Sequence, residues 1–326
     1  MLSRPNILYT KLFPPPDSPG FVERRSILEK LNNGFQAPLT SVVAPAGYGK
    51  SSMVSHWART MGANYCWISL GEEDNHFKLF VSYLLHAIRQ PFPMFGTELL
   101  KMLNSPENIP QAVFSTALQN ALTNLREPLV LILDDFHLIS LSEIHGLLES
   151  ILEFPPQHLH IMVICRCDPP LPISLYRLKG KINEIRTRDL VFDNEDITRF
   201  FQLNSHQNPS HKIIDNLEKQ SEGWIAGLKL LIYGNNINND TFSANNDRLA
   251  KIGFGEIMQG FLQKLTPEIK SFLLKTSVLP TFNRSLTITL CGYETVDIIE
   301  HLKTSNLFLI PLDARDGWYR YHHLFA

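Results

Sequence analysis

The chain has 326 residues, 44% of them apolar and 19% charged, and its 30 Lys and Arg nearly offset its 32 Asp and Glu, leaving a formal charge of −2. That length favours two or three domains. The near-neutral balance excludes a polyelectrolyte field for nucleic acid or acidic lipid and leaves only a local basic patch open. Cys66, Cys165, Cys167 and Cys291 show neither zinc-knuckle spacing nor a disulfide framework, which fits a reducing compartment. No apolar run reaches the roughly 18 residues of a membrane span, and the first residues lack the apolar segment of a signal peptide. The expectation is a cytoplasmic chain without a membrane partner.

In chain order, residues 1–20 read as an extended arm around Pro14, Pro15 and Pro16, and RRSILEKLNNG as a short helix with Ile27, Leu28 and Leu31 on one side. LTSVVAPAG is a buried strand entering a turn, and KSSMVSHWARTMG is the helix after it, stopping at Gly62. NYCWISL is a second strand. In HFKLFVSYLLHAIRQP, Phe77, Phe80, Val81, Leu84, Leu85 and Ile88 keep a helical spacing that ends at Pro91. PLVLILDDFH is continuously apolar up to two aspartates, as a parallel strand covered on both faces would be. A helix near 142–153, the strand LHIMVICRCDPP and a fifth strand, KINEIRTRDLVF, complete the alternation. Strands alternating with helices predict an α/β, doubly wound parallel sheet in three layers.

Beyond Asp193 the strands stop. DNEDITRFFQL and HKIIDNLEKQSEGWIAGLKLLIYG read as helical, GNNINNDTFSANND as a polar linker, and FGEIMQGFLQKL and TPEIKSFLLKTSVL as further helices. NLFLIPLDARDGWYRYHHLFA reads as two strands around a turn at Asp316 and Gly317, and helices followed by such a ribbon suggest a winged helix. The expected organisation is an arm and helix over 1–35, a P-loop nucleotide-binding domain over 36–192, a small helical domain over 193–250 and an incomplete winged-helix domain over 251–326.

The segment Ala44 to Ser51, APAGYGKS, matches the phosphate-loop template G-x-x-x-x-G-K-[ST] except that Ala44 replaces the first glycine. The loop Ala46, Gly47, Tyr48, Gly49 with Lys50, Ser51 and Ser52 at the helix start is the candidate phosphate cradle. Backbone N–H groups and a helix N-terminus face the anion, and Lys50 bridges the outer phosphates. Ser51 and Asp134 are the candidate Mg²⁺ ligands, and Asp135 the group that orients or deprotonates an attacking water. Asp134 sits at the end of what is expected to be a neighbouring parallel strand. Arg166, at the end of the strand IMVICRCDP, can report a γ-phosphate if its strand adjoins the one carrying Asp134. Each feature has a plainer reading: a chance strand-turn-helix, a loop-capping Asp pair, a surface arginine in an ion pair.

These elements, in this order, resemble the signal-transduction ATPases with numerous domains (STAND), and within them the MalT-like large ATP-binding LuxR-type regulators. The similarity covers almost the whole chain and is carried by TKLFPPP with VERRSILEKL, APAGYGKSS, WISLGEEDNHFKLFVSYL, LILDDFHLI, VICRCDPPLP, EGWIAGLKL, FLLKTSVL and RYHHLFA. The resemblance implies that Val22 and Arg24 contact the adenine and sugar, that Gly223 and Trp224 close over the base, and that His322 touches the β-phosphate of bound ADP in a resting state. His323 stands where the family often has Pro or His. The resemblance further implies an ATP/ADP switch reset by slow hydrolysis, with ATP-dependent self-association. An inducer that the sequence does not identify and operator DNA would act through sensor and helix-turn-helix regions not found in these residues, so the chain is expected to be a fragment or a truncated product. Two other classes stay open: an autonomous P-loop NTPase or small-molecule kinase, and a nucleotide-binding interaction module without hydrolysis.

Overall fold

The computed structural model describes residues 7–17, 20–105, 110–205, 207–234, 265–292, 295–304, 309–312 and 317–321. The chain partitions into two compact units. Glu23–Ala44 and Lys50–Asp189, with the N-terminal segment, form one; Pro45–Gly49 and the described part of 190–326, with the short segment through Val22, form the other.

The first unit is built on five strands: β1 (Leu39–Val43), β2 (Asn64–Ser69), β3 (Leu129–Asp134), β4 (Leu159–Cys165) and β5 (Ile182–Arg186). They pair in the order β2-β3-β4-β1-β5, every pair parallel. The three inner strands are buried at every residue. Their apolar runs never alternate because helices cover both faces of a parallel sheet. The edge strand β5, INEIR, is mostly half-buried and carries two charged residues, Glu184 and Arg186, where solvent still reaches it.

Helix α1 (Arg25–Asn33) precedes β1, and α2 (Lys50–Thr60), α3 (Phe77–Ile88), α4 (Thr97–Leu103), α5 (Gln111–Thr123) and α6 (Ser142–Glu153) connect the strands as far as β4. Phe80, Leu84 and Ile88 of α3 and Ile144, Leu148 and Leu152 of α6 recur every four residues and are at most 1% exposed, so their stripes enter the sheet core. Neither α4 nor α5 is in the sequence reading, although Phe114, Leu118 and Leu122 of α5 have the same spacing and are buried. The arm is not wholly extended: Tyr9–Leu12 forms one 3₁₀ turn that sinks Leu12 into the core, and the three prolines follow it without helical structure. The fifth strand is shorter than its sequence suggests. Helix α7 (Ile173–Leu178) leads into it; it stops at Arg186, and α8 (Thr187–Leu190) is one helical turn.

In the second unit, α9 (Asn194–Ser205), α10 (His211–Ser221) and α11 (Ile225–Gly234) pack around Phe192, Ile197, Phe200, Phe201, Ile214, Leu217, Leu228 and Leu231, with Val22 joining from the N-terminal side. The stretch from His211 to Gly234 is thus two helices broken at Glu222–Trp224. A separate cluster joins Ile269, Phe272, Leu273, Phe282, Ile299, Leu302, Tyr319 and Tyr321. Its helices are Pro267–Thr276, Arg284–Cys291 and Thr295–Thr304, and its ribbon is β6 (Leu309–Pro311) antiparallel to β7 (Tyr319–Tyr321). Thr266 caps the first of these helices, its hydroxyl accepting from the Ile269 N–H. The second and third were not expected from sequence. The Asn-rich linker beyond Gly234, all but Leu265 of the expected helix over 254–265, the turn residue Asp316 and His322 with His323 lie outside the described residues.

Candidate functional site

In the first unit, β1 delivers the chain to Ala44, which is fully buried and whose N–H donates to the Cys165 carbonyl at 3.3 Å. Asp135 and Glu222 are the described non-glycine residues with positive φ, so Ala44 keeps a negative φ and tolerates its methyl where the template has glycine. Helix α2 starts at Lys50, and the N–H groups of its first turn have no carbonyl one turn earlier in the helix. Lys50 is 7% exposed. Burial brings its ammonium down to about 8, with Arg166 pushing the same way and Asp135 and Asp134 opposing.

Asp134 closes β3 and is 6% exposed. The Ser51 hydroxyl donates to its Oδ1 at 2.8 Å and the Asp135 N–H to the same oxygen at 3.1 Å. Burial raises this carboxyl to about 6, Asp135 adds to the rise, and the Ser51 bond opposes it. The pair Ser51 Oγ and Asp134 Oδ1 fits Mg²⁺: both are hard oxygen donors, and metal–oxygen bonds of about 2.0–2.1 Å in an octahedron put adjacent ligands about 2.9 Å apart. No group of three or more His, Cys, Asp or Glu side chains among the described residues could hold a metal, so a cation here would take its other ligands from phosphate and water.

One expectation needs correcting. β3 is not the neighbour of β1, because β4 lies between them and pairs with both. Asp134 still meets Ser51, since the start of α2 lies at the end of the sheet where all the parallel strands finish. The inserted strand β4 ends at Cys165, so Arg166 leaves the sheet between the two motifs, which meets the condition set for it from sequence. Its charge acts on both Lys50 and His137. Asp135 adopts the left-handed conformation, φ 55° and ψ 34°, at the start of the 3₁₀ turn Phe136–Leu138. Sequence reasoning assigned no role to His137 in that turn. No motif template contains it, and its place beside Asp135 depends on this backbone reversal.

The loop residues belong with the second unit. Gly47 has φ +81°, and a Cβ there would lie 2.5 Å from Trp224 Nε1 and 2.6 Å from the Ala226 Cβ. The Trp224 indole N–H donates to the Ala46 carbonyl at 2.9 Å, and the Ala226 N–H to the Gly47 carbonyl at 3.0 Å. Trp224 therefore braces the back of the loop. Its partner Gly223, at φ +70°, leaves 2.4 Å to Val191 Cγ1 for any side chain. Gly49 has φ +74°. Tyr48 is buried, and burial with the Glu222 carboxylate raises its phenol to about 12. Glu222 and Arg320 form a two-pronged ion pair at 2.8 and 2.6 Å, which no sequence motif signalled. Ser52 is half-buried on α2, Val22 lies in the helical core, and Arg24 precedes α1 at 8% exposure.

Residues 21–164 match the model of the AAA ATPase domain, and residues 258–326 match that of the MalT winged helix domain. The HTH-type transcriptional regulator MalT of Yersinia pestis (strain Pestoides F) is 29% identical over 331 aligned positions, 98% of this chain and 36% of the relative. That of Klebsiella pneumoniae (strain 342) is 29% identical over 315, covering 94% and 34%. The chain thus spans about a third of the length of these relatives. The Thermotoga maritima RuvB Holliday junction branch migration motor overlays at a TM-score of 0.47 and 13% identity, covering 96% of each chain. The parallel sheet and the domain matches agree on a P-loop NTPase α/β fold followed by a winged-helix domain. Among the described residues no helix is long and apolar enough to cross a membrane.

Proposed function

We propose that this MalT-like chain is the nucleotide-operated switch of a transcription regulator: it holds ATP or ADP with Mg²⁺, and slow hydrolysis resets it. The observation that carries the reading is the 2.8 Å bond between Ser51 and Asp134, beside a buried Lys50 at a helix start. Bound Mg²⁺ would neutralise charge on the outer phosphates. Lys50 and the first N–H groups of α2 hold the phosphate tail, and Ser51 and Asp134 hold the cation. Asp135 aligns the attacking water, and Arg166 registers the γ-phosphate. Val22, Arg24, Gly223 and Trp224 are the candidate contacts to base and sugar, and His322 the candidate contact to ADP. A switch of this kind moves a population from 1:99 to 99:1 only if ATP and ADP differ by about 5.5 kcal/mol in preference for the two arrangements. Inducer sensing, operator binding and ATP-linked self-association are proposed for the full-length regulator.

The test is the nucleotide itself. Mass spectrometry of purified, heat-denatured protein is expected to find bound ADP or ATP. Lys50→Ala should weaken nucleotide binding roughly ten- to a hundredfold, the worth of a lost charge-assisted bond to phosphate. Asp135→Asn separates a switch from an ordinary NTPase. In a switch it leaves ATP binding intact and accumulates an ATP-bound, self-associated form by light scattering; in an autonomous NTPase it only abolishes turnover.

A further inference from the structure

Two irregularities lie together beyond Asp134. Asp135 holds a left-handed conformation without being glycine. The next side chain but one, His137, has a buried ring nitrogen, Nδ1, with no hydrogen-bond partner among the described residues. The two face each other. His137 Nδ1 lies 3.9 Å from Asp135 Oδ1, with the His side chain 11% and the Asp side chain 41% exposed. At 3.9 Å the atoms are too far apart for a direct hydrogen bond. A buried polar nitrogen left unpaired is costly and uncommon, and such features concentrate where a functional state supplies the missing partner.

The turn that carries the ring is held firmly. The Leu138 N–H donates to the Asp135 carbonyl at 3.0 Å, and the Ile139 N–H to the Phe136 carbonyl at 3.1 Å. Asn75 donates to the Leu138 carbonyl at 2.8 Å and accepts from the Leu141 N–H at 3.1 Å. The charged groups that act on the ring are the Asp135 carboxylate, the Arg166 guanidinium and the Lys50 ammonium. With the backbone anchored, a side-chain rotation of about 1 Å at the ring closes the gap. Catalytic hydrogen bonds are often long in unliganded sites and tighten on filling.

We propose that His137 is a positioning residue for Asp135: when nucleotide and the attacking water fill the site, its Nδ1–H pairs with Oδ1 and leaves the other carboxylate oxygen aimed at the water. A carboxylate only accepts, so Nδ1 must carry the hydrogen. This rests on the nucleotide reading above. The ring donates a hydrogen bond and transfers no proton. The residue governs turnover and not affinity.

The experiment compares the full chain with His137→Asn, which keeps an N–H donor near the Nδ1 position, and His137→Phe, which keeps a ring without a donor. Mg·ATP affinity and single-turnover hydrolysis are measured for each, and again in an Asp135→Asn background. The expected result is a ten- to hundredfold slower turnover in His137→Phe with ATP affinity within about threefold of the parent. His137→Asn should recover at least a third of the parent rate, and His137→Phe should cause no further loss once Asp135 is Asn. Equal turnover in all three proteins overturns the proposal. So does equal impairment of both His137 variants together with lost ATP affinity, or losses that add to that of Asp135→Asn. A parent chain that retains nucleotide without turning it over also overturns it and leaves the binding reading standing. A parent chain that binds no nucleotide removes both.

Discussion

At the scale of single residues, His160 shows how far burial fixes a charge state. Its Nδ1–H donates to the Ala37 carbonyl at 2.8 Å, so Nε2 is free to accept from the Thr40 hydroxyl at 3.0 Å, and Thr40 in turn accepts from Asn183 at 3.3 Å. The side chain is 6% exposed, and burial brings its pKa from 6.5 down to about 4. Between those values the unfolded chain binds the proton that the folded chain refuses. Stability is therefore whole above pH 6.5 and declines as pH falls through about 4. The expected loss is up to about 3 kcal/mol. Urea unfolding across pH 4–7 checks it: His160→Asn, which keeps one donor, should be less stable at neutral pH and lack this part of the acid slope. The same scale explains why Lys50, Ser51 and Asp134 were legible in sequence while His137 was not. The first three follow from residue types beside a glycine turn and at the end of an apolar run. The position of His137 follows from Asp135 taking a left-handed conformation, which no neighbouring residue type requires.

At the scale of elements, the informative contacts are those of the turn Glu222–Trp224. Trp224 bonds Ala46, Gly47 gives it room, and Glu222 pairs with Arg320 of β7. Gly47→Ala places a methyl against the indole at positive φ, and a cost of about 1–3 kcal/mol is expected. The measurable sign would be a shift in tryptophan emission together with weaker nucleotide retention. For Glu222 and Arg320, a double-mutant cycle with Glu222→Gln and Arg320→Gln should give a coupling of about 1 kcal/mol, since both side chains are near 30% exposed and water screens them. A coupling of zero would mean that the pair is ornamental. Sequence patterns found α3 and α6 because their apolar stripes are long and unbroken. They ran α10 and α11 together, because Glu222 carries no mark of a helix end and a single glycine at Gly223 can kink a helix without ending it.

At the scale of the molecule, the described core includes separate clusters: one on the sheet, one among α9, α10 and α11, and one in the winged-helix region. The helical cluster draws Val22 from the N-terminal side, and its unit includes Pro45–Gly49. A chain ended after Gly234 is therefore expected to keep the sheet and helical cores and to unfold cooperatively. A peptide of residues 190–234 lacks those contributions and should stay unfolded by circular dichroism, being too short to bury its own core. A folded peptide would show that the helices need neither.

The sequence by itself determined the class of fold and laid out the candidate phosphate loop. A strand, a glycine turn, Lys50 and Ser51 are contiguous, and an apolar run ending in Asp134 and Asp135 has the composition and length of an inner parallel strand that stops at its acidic end. Only the tertiary structure decided which strands are neighbours. Strands β1, β3 and β4 are alike in being buried at every residue, and backbone ladders pair any parallel strand with any other, so the insertion of β4 between the two motifs left no local trace. The meeting of the Trp224 indole with the Ala46 carbonyl belongs to that same level, because burial rewards distant residues for coming together without saying in advance which ones.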